Sequence, residues 1–185
     1  TENLMIAASL IEGETVIRNA AREPEITDLA EALNKMGASV AGAGSGEIRI
    51  KGVKKLRGFE HRVIPDRIEA GTFLILGSLC ARKLEVKNAV SEHLGSLVEK
   101  LIKSGARVDI KKDSMTIYAN KHIKPADIKT QPYPGYPTDL QSQWMAYMSL
   151  SKGRAKIEEN IFENRFMHVP ELVRMGASIE IRHNT

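Results

Sequence analysis

Leu94, Leu97, Val98 and Leu101 fall at i, i+3, i+4 and i+7, the spacing that lines four apolar side chains along one helix face. Leu29, Leu33 and Met36 repeat that pattern; Pro24 fits the first helical turn, or alternatively Thr27 caps it, and Gly37 ends the helix. Three other stretches, Asn3 to Ile11, Glu69 to Ala81 and Leu140 to Leu150, are apolar on nearly every face. The pattern predicts helices buried all round, each too short to span a membrane. Short β-rich runs separate the helices: Thr15 to Asn19, Leu84 to Asn88 and Ala155 to Asn160. Two hairpins are predicted as well, Val40 with Glu47 to Val53 around the Gly42 to Gly46 turn, and Val108 to Ile110 with Met115 to Tyr118.

These elements come in one order three times. The phrase Lys35-Met36-Gly37-Ala38-Ser39-Val40 returns as Lys103-Ser104-Gly105-Ala106-Arg107-Val108 and as Arg174-Met175-Gly176-Ala177-Ser178-Ile179. A period of roughly 70 residues is too long for a solenoid, and predicts a few supersecondary units packed about a pseudo-threefold axis. Each unit pairs a wholly apolar helix with an amphipathic one, so the apolar helix must lie inside and the sheet outside. Parallel strands joined by helices and closed by a hairpin predict mixed sheets in an α/β or α+β class. Arg62-Val63-Ile64-Pro65, between the first two units, is the predicted domain crossing. Thr1-Glu2-Asn3 opens at a helix start, and Asn184-Thr185 stops where the earlier copies turn into a second hairpin strand. Both ends therefore read as cuts into a longer polypeptide that carries further functional residues.

Composition changes this picture little. With 42% hydrophobic and 27% charged residues the chain is ordinary globular protein. A net charge of +4 mildly favours an anionic ligand, but basic residues are interleaved with acidic ones and no aromatic stacking motif accompanies them, which argues against nucleic acid. The single cysteine, Cys80, cannot form an internal disulfide, and within an apolar helix it is expected to be an inert hydrophobe.

The densest polar cluster is Asn160 to Ile179. Glu163 and Arg165 flank Asn164 in a loop before a helix, which by itself describes a solvated surface turn. Ile161 and Phe162 read as core residues at a strand end. His168 has no partner at ligand spacing, so no metal site is predicted. Thr138-Asp139-Leu140-Gln141 reads as a capping box, with Thr138 as N-cap, Gln141 at N3, and Asp139 favoured by the helix dipole. Asp66, Arg67 and Glu69 precede the second apolar helix in the same way, and Arg22 and Glu23 take the equivalent loop place in the first unit; capping, a local ion pair and surface exposure account for these.

Four stretches carry a resemblance: Ala20-Ala21-Arg22-Glu23-Pro24-Glu25, Pro65-Asp66-Arg67-Ile68-Glu69, Pro137-Thr138-Asp139-Leu140-Gln141, and Phe162-Glu163-Asn164-Arg165-Phe166-Met167-His168-Val169-Pro170-Glu171-Leu172. Together, across all 185 residues, they resemble the middle portion of the UDP-N-acetylglucosamine 1-carboxyvinyltransferase family. Phe162 to Val169 is the most specific part; the repeat alone does not separate that family from the 5-enolpyruvylshikimate-3-phosphate synthases, the alternative within the class. The resemblance implies an inside-out α/β barrel, with residues 1–63 the last unit of the first, catalytic-loop domain and 64–185 the first two units of the second. It implies transfer of the enolpyruvyl group of phosphoenolpyruvate to the 3'-hydroxyl of UDP-N-acetylglucosamine in the bacterial cytoplasm, without organic cofactor or metal. Asp139 matches the carboxylate that contacts the sugar nucleotide and takes the acceptor proton. Ile161 matches a backbone contact to the sugar nucleotide, and Arg165 lies near the phosphate-bearing substrate. Thr138, Phe162 and Glu163 adjoin these positions and complete the expected substrate-binding set. The general acid, a Cys or Asp, belongs to a loop upstream of Thr1 and is not Cys80. A non-catalytic module binding an anion or nucleic acid is the reading from another class.

Overall fold

The phrase repeated around Gly37, Gly105 and Gly176 is a helix stop. The three glycines have φ of 101°, 94° and 100°, a left-handed conformation that a Cβ disfavours. In each copy the following alanine N–H reaches back five residues, Ala38 to the Leu33 carbonyl, Ala106 to Leu101 and Ala177 to Leu172, all at 3.0 Å. Each glycine N–H also bonds the carbonyl three residues earlier, so all three helices end in a Schellman cap.

A computed structural model describes all 185 residues, which divide into two compact units, Thr1–Ile64 and Pro65–Thr185. In the first, α1 (Glu2–Ala8) leads to β1 (Glu14–Arg18), α2 (Pro24–Lys35, with Pro24 in its first turn), β2 (Ser39–Ala41) and β3 (Glu47–Lys51). β3 lies between β1 and β2 and is antiparallel to both, Glu14 facing Lys51 and Ser39 facing the same residue from the other side. Met5, Ile26, Leu33, Ile48 and Ile50 form the core beneath this sheet.

The second unit begins with α3 (Arg67–Cys80), capped by Asp66, whose carboxylate accepts the Ile68 and Glu69 N–H groups at 2.8 and 3.0 Å. β4 (Lys83–Lys87), a short 3₁₀ turn, α4 (Gly95–Lys103), β5 (Val108–Lys111) and β6 (Ser114–Tyr118) follow, in the sheet order β4-β6-β5. Here too every adjacent pair is antiparallel, so neither three-stranded sheet is the mixed sheet expected: the leading strand pairs with the second hairpin strand, not the first. β7 (Ile128–Lys129), a 3₁₀ turn (Thr138–Leu140), α5 (Gln141–Met148), β8 (Ile157–Glu158) and α6 (Val169–Arg174) complete the chain. The expected strand Ala155 to Asn160 is only the two residues of β8, paired in parallel with β7. Its continuation leaves the sheet because Glu159 turns its side chain inward and its backbone bonds Asn184.

Burial of the apolar helices is less complete than their composition predicts. α1 ends at Ala8, and Leu4, Ile6, Leu10 and Ile11 are exposed, since within its unit α1 packs mainly against α2 and β3, on one side. α3 buries Ala70, Gly71, Leu74, Ile75, Gly77 and Ser78 but exposes Phe73 and Leu76 on its far side. Cys80 is exposed as well, its thiol donating to the Leu76 carbonyl, so the expectation of a buried thiol fails. α5 is closest to the expectation: Trp144 and Tyr147 are fully buried, although Leu150 lies beyond the helix and is exposed. Close approach explains the depth of α3, because a Cβ on Gly71 would stand 2.7 Å from Leu140 and one on Gly77 2.6 Å from Ile117. No helix is long and apolar enough to cross a membrane.

The caps yield a direct test. A Cβ on Gly105 would meet no atom closer than 3.6 Å, so Gly105→Ala isolates the conformational cost. Denaturant unfolding should show a loss of about 1–2 kcal/mol; a loss well below that range would mean the left-handed residue is not what ends α4.

Candidate functional site

Sharp turning at the end of β8 brings the predicted residues together. The Glu159 carboxylate is only 3% exposed. Its Oε1 accepts the Ile161 N–H at 2.8 Å, the Phe162 N–H at 3.1 Å and the Thr130 hydroxyl at 2.9 Å, while Oε2 accepts the Thr138 hydroxyl at 2.9 Å. Burial pushes this carboxyl up, but the bonds from Ile161, Thr138, Phe162 and Thr130 outweigh it and hold it below the usual glutamate range.

Thr138 then passes the connection outward. Its hydroxyl accepts from Arg165 Nη1 at 3.0 Å, and Arg165 Nη2 donates to Asp139 Oδ1 at 2.6 Å. The guanidinium also lies over the Phe162 ring, 5.1 Å from its centroid. Asp139, Thr138, Arg165, Phe162 and the Ile161 backbone thus form one connected group at the start of α5. The Asp139 side chain is 54% exposed and that of Arg165 34%, so both charges face solvent. Such a pair contributes about 0–1 kcal/mol to stability, and an incoming anion or hydroxyl exchanges it at low cost.

Several readings from sequence are corrected here. Thr138 is not a helix cap: Pro137 holds the N-cap place of the 3₁₀ turn, and the Thr138 hydroxyl serves Glu159 and Arg165. Gln141 does not complete a capping box; it is fully buried and its amide has no hydrogen-bond partner. Ile161 and Phe162 are exposed rather than core, because their N–H groups are turned in to Glu159 and their side chains outward. Glu163 lines the same open cleft of about 820 Å³, bounded also by Asn160, Arg165, Met167 and His183. Asn164 adopts φ 56°, as a turn residue does. His168 is displaced below its ordinary value by burial and by the Arg165 charge, and its Nε2 is buried without a partner. No group of three or more His, Cys, Asp and Glu side chains is placed to hold a metal ion. Arg67 stacks on Tyr133 at 5.6 Å.

Glu159 and Thr130 are the residues that pattern reading missed. One signal was present: the residue before the strand-ending asparagine is an exposed base in the first two units, Arg18 and Lys87, and a carboxylate in the third.

The profile of the EPSP synthase (3-phosphoshikimate 1-carboxyvinyltransferase) family matches residues 1–185. The chain belongs to this family. A UDP-N-acetylglucosamine 1-carboxyvinyltransferase of Acidobacterium capsulatum is 56% identical over 181 residues, covering 97% of this chain and 42% of that protein. UDP-N-acetylglucosamine 1-carboxyvinyltransferase 1 of Caldanaerobacter subterraneus subsp. tengcongensis is 52% identical, over 98% of the chain and 44% of its own length. The chain therefore spans less than half the length of these relatives. Among solved structures, the enolpyruvyl transferase NikO from Streptomyces tendae superposes with a TM-score of 0.86 over 96% of this chain and 42% of that one, at 24% identity, which establishes the fold alone.

The Glu159 geometry gives a pH prediction. Because its folded-state value is depressed, the contribution of its hydrogen bonds is complete above the ordinary glutamate value of about 4.3. That contribution is lost as pH falls through the folded value. The Ile161 and Phe162 amide resonances should accordingly move together with a midpoint below about 4.3. A common midpoint above it would contradict a hydrogen-bonded carboxylate.

Proposed function

We propose that the 185 residues form an interior portion of a UDP-N-acetylglucosamine enolpyruvyl transferase. Residues 1–63 then complete the domain that carries the catalytic loop, and residues 64–185 supply the first two units of the second domain. The observation that carries this reading is the 56% and 52% identity, across nearly the whole chain, to proteins named for that activity. The linking of Asp139 and Thr138 through Arg165 to the cleft that Arg165, Phe162 and Ile161 line supports it.

In the reaction, the acceptor 3'-hydroxyl oxygen bonds to C2 of the enolpyruvyl group while its proton passes to Asp139 and another proton is delivered to C3. Elimination then breaks the C2–O bond to phosphate and removes a proton from C3, restoring the double bond and releasing inorganic phosphate. Asp139 is far too weak a base to ionise a free alcohol beforehand, so its proton transfer accompanies C–O bond formation. Its Oδ1 is engaged by Arg165, which leaves Oδ2 for the acceptor hydroxyl. Arg165 offers a planar guanidinium to phosphate oxygens near Phe162, and the Ile161 backbone and the Phe162, Thr138 and Glu163 side chains border the sugar nucleotide. Catalysis takes place in the bacterial cytoplasm on small-molecule substrates, and the rest of the polypeptide supplies the general acid.

Asp139→Asn in the full-length protein is the decisive variant. The amide keeps the shape but cannot accept the proton, so kcat should fall by roughly 10²- to 10⁴-fold. The melting temperature should stay close to that of the unaltered protein, because the Asp139 carboxylate is held in an exposed pair with Arg165 that contributes about 0–1 kcal/mol. Near-normal kcat in the folded variant would remove Asp139 from the chemistry.

The isolated 185-residue chain should release no more phosphate from phosphoenolpyruvate and UDP-N-acetylglucosamine than a protein-free control, since catalysis by a preorganised set collapses when members are missing. Turnover by that chain would show that it already holds every essential group.

A further inference from the structure

Glu159 is the one acidic side chain buried in either unit, and its surroundings are unusual in composition. Everything it touches is a donor: two backbone N–H groups and two hydroxyls. A protonated carboxyl could be accommodated only if a threonine hydroxyl gave up its own donation and accepted instead, so four donors favour the anion. The backbone of the same residue is also held, its N–H donating to the Asn184 carbonyl at 2.8 Å and its carbonyl accepting from Asn184 Nδ2 at 3.2 Å. Thr130 is fixed in turn, its hydroxyl accepting the Asn160 N–H at 2.8 Å while donating to Glu159. One carboxylate therefore links Thr130 just after β7, the 3₁₀ turn before α5 and the loop after β8.

We infer that Glu159 is a positioning residue for the proposed transfer: its carboxylate sets the Ile161–Phe162 main chain directly and sets the Arg165–Asp139 pair through the Thr138 hydroxyl. This rests on the function proposed above. The route through Thr138 depends on hydrogen-bond polarity. Thr138 has one proton, given to Glu159, which leaves its lone pairs for Arg165 Nη1. An amide at position 159 that keeps Oε1 toward Ile161, Phe162 and Thr130 must turn its NH₂ toward Thr138. The hydroxyl then receives donors from both sides, and its own proton has no acceptor on this path. Glu159→Gln thus removes the charge and leaves the Thr138 proton without its acceptor, without removing bulk.

The test compares Glu159→Gln, Thr138→Val, Thr138→Ser and the Glu159→Gln/Thr138→Val double variant in the full-length protein. Loss of a hydrogen bond to a buried charge should lower kcat/KM by about 10- to 100-fold in Glu159→Gln. Thr138→Val should lose a comparable factor, Thr138→Ser should recover most of that loss because it keeps the hydroxyl, and the double variant should be no worse than the poorer single one, since residues on one path are not additive. Fold losses that multiply, or Glu159→Gln within about 2-fold of normal, would overturn the inference. If Glu159→Gln does not fold, the two Thr138 variants decide: equal activity of Val and Ser overturns it.

Amide hydrogen exchange provides a readout that needs no substrate. Glu159→Gln should speed exchange at Ile161 and Phe162 while leaving the α4 amides protected; unchanged exchange there would mean that Glu159 does not set the loop. Should the unaltered protein fail to act on the proposed substrate pair, the functional reading falls, and the exchange result still decides whether Glu159 positions the loop.

Discussion

The second unit depends on one hydroxyl. Tyr147, fully buried in the last turn of α5, receives hydrogen bonds at its phenolic oxygen from Ser78 at 3.1 Å and Asn120 Nδ2 at 2.9 Å, and shares another with Ser104 at 2.9 Å. Ser78 lies near the end of α3, Ser104 ends α4, and Asn120 follows β6. The three segments also bond to one another, Asn120 N–H to the Ser78 carbonyl and Asn120 Nδ2 to the Ser104 carbonyl. A buried polar group is costly unless satisfied, and a satisfied network specifies one arrangement of its members. Trp144, one turn earlier, adds a bond from its indole N–H to the Ala126 carbonyl at 3.0 Å. Together these fix the height and rotation of α5, and with them the place at which its first turn presents Thr138 and Asp139.

On that fixed helix stand two kinds of polar contact with opposite character. The Glu159 bonds are buried and wholly internal, so disrupting them leaves donors without partners. The Arg165–Asp139 pair lies at the surface, where water and salt compete for both charges. The site therefore has a rigid frame and a pair of exchangeable contacts, and the boundary between them runs through a single threonine hydroxyl.

Sequence reading reached the elements whose causes are local. The 3.6-residue period located α2 and α4, and the glycine phrases located their ends, because a Schellman cap involves only residues within one turn or so of the stop. Asp139, Arg165, Ile161 and Phe162 were legible as candidates through the wording of their motifs, yet their meeting was not, since 26 positions separate Asp139 from Arg165. Exposure of α1 and of Cys80 was misjudged because apolar composition says what a helix can tolerate, while burial requires neighbours on every side. The Thr138 cap failed for a related reason: a capping hydroxyl accepts a backbone N–H, and Thr138 instead accepts Arg165 Nη1 while giving its proton to Glu159. No local pattern announces a buried carboxylate; only the contrast with Arg18 and Lys87 in the other repeats does.

The strand order has a consequence for how each unit assembles. β2 and β3 are joined by a short turn and pair as a hairpin, as do β5 and β6, whereas β1 and β4 reach their partners only across an intervening helix. Closing the longer connection costs more chain entropy than closing the hairpin turn. β8 stands at the leading position of the third copy and holds its neighbour through only two residues. The segment that carries the cleft loop is secured by the thinnest ladder, and its anchorage falls to side chains: one carboxylate, two threonines and an asparagine.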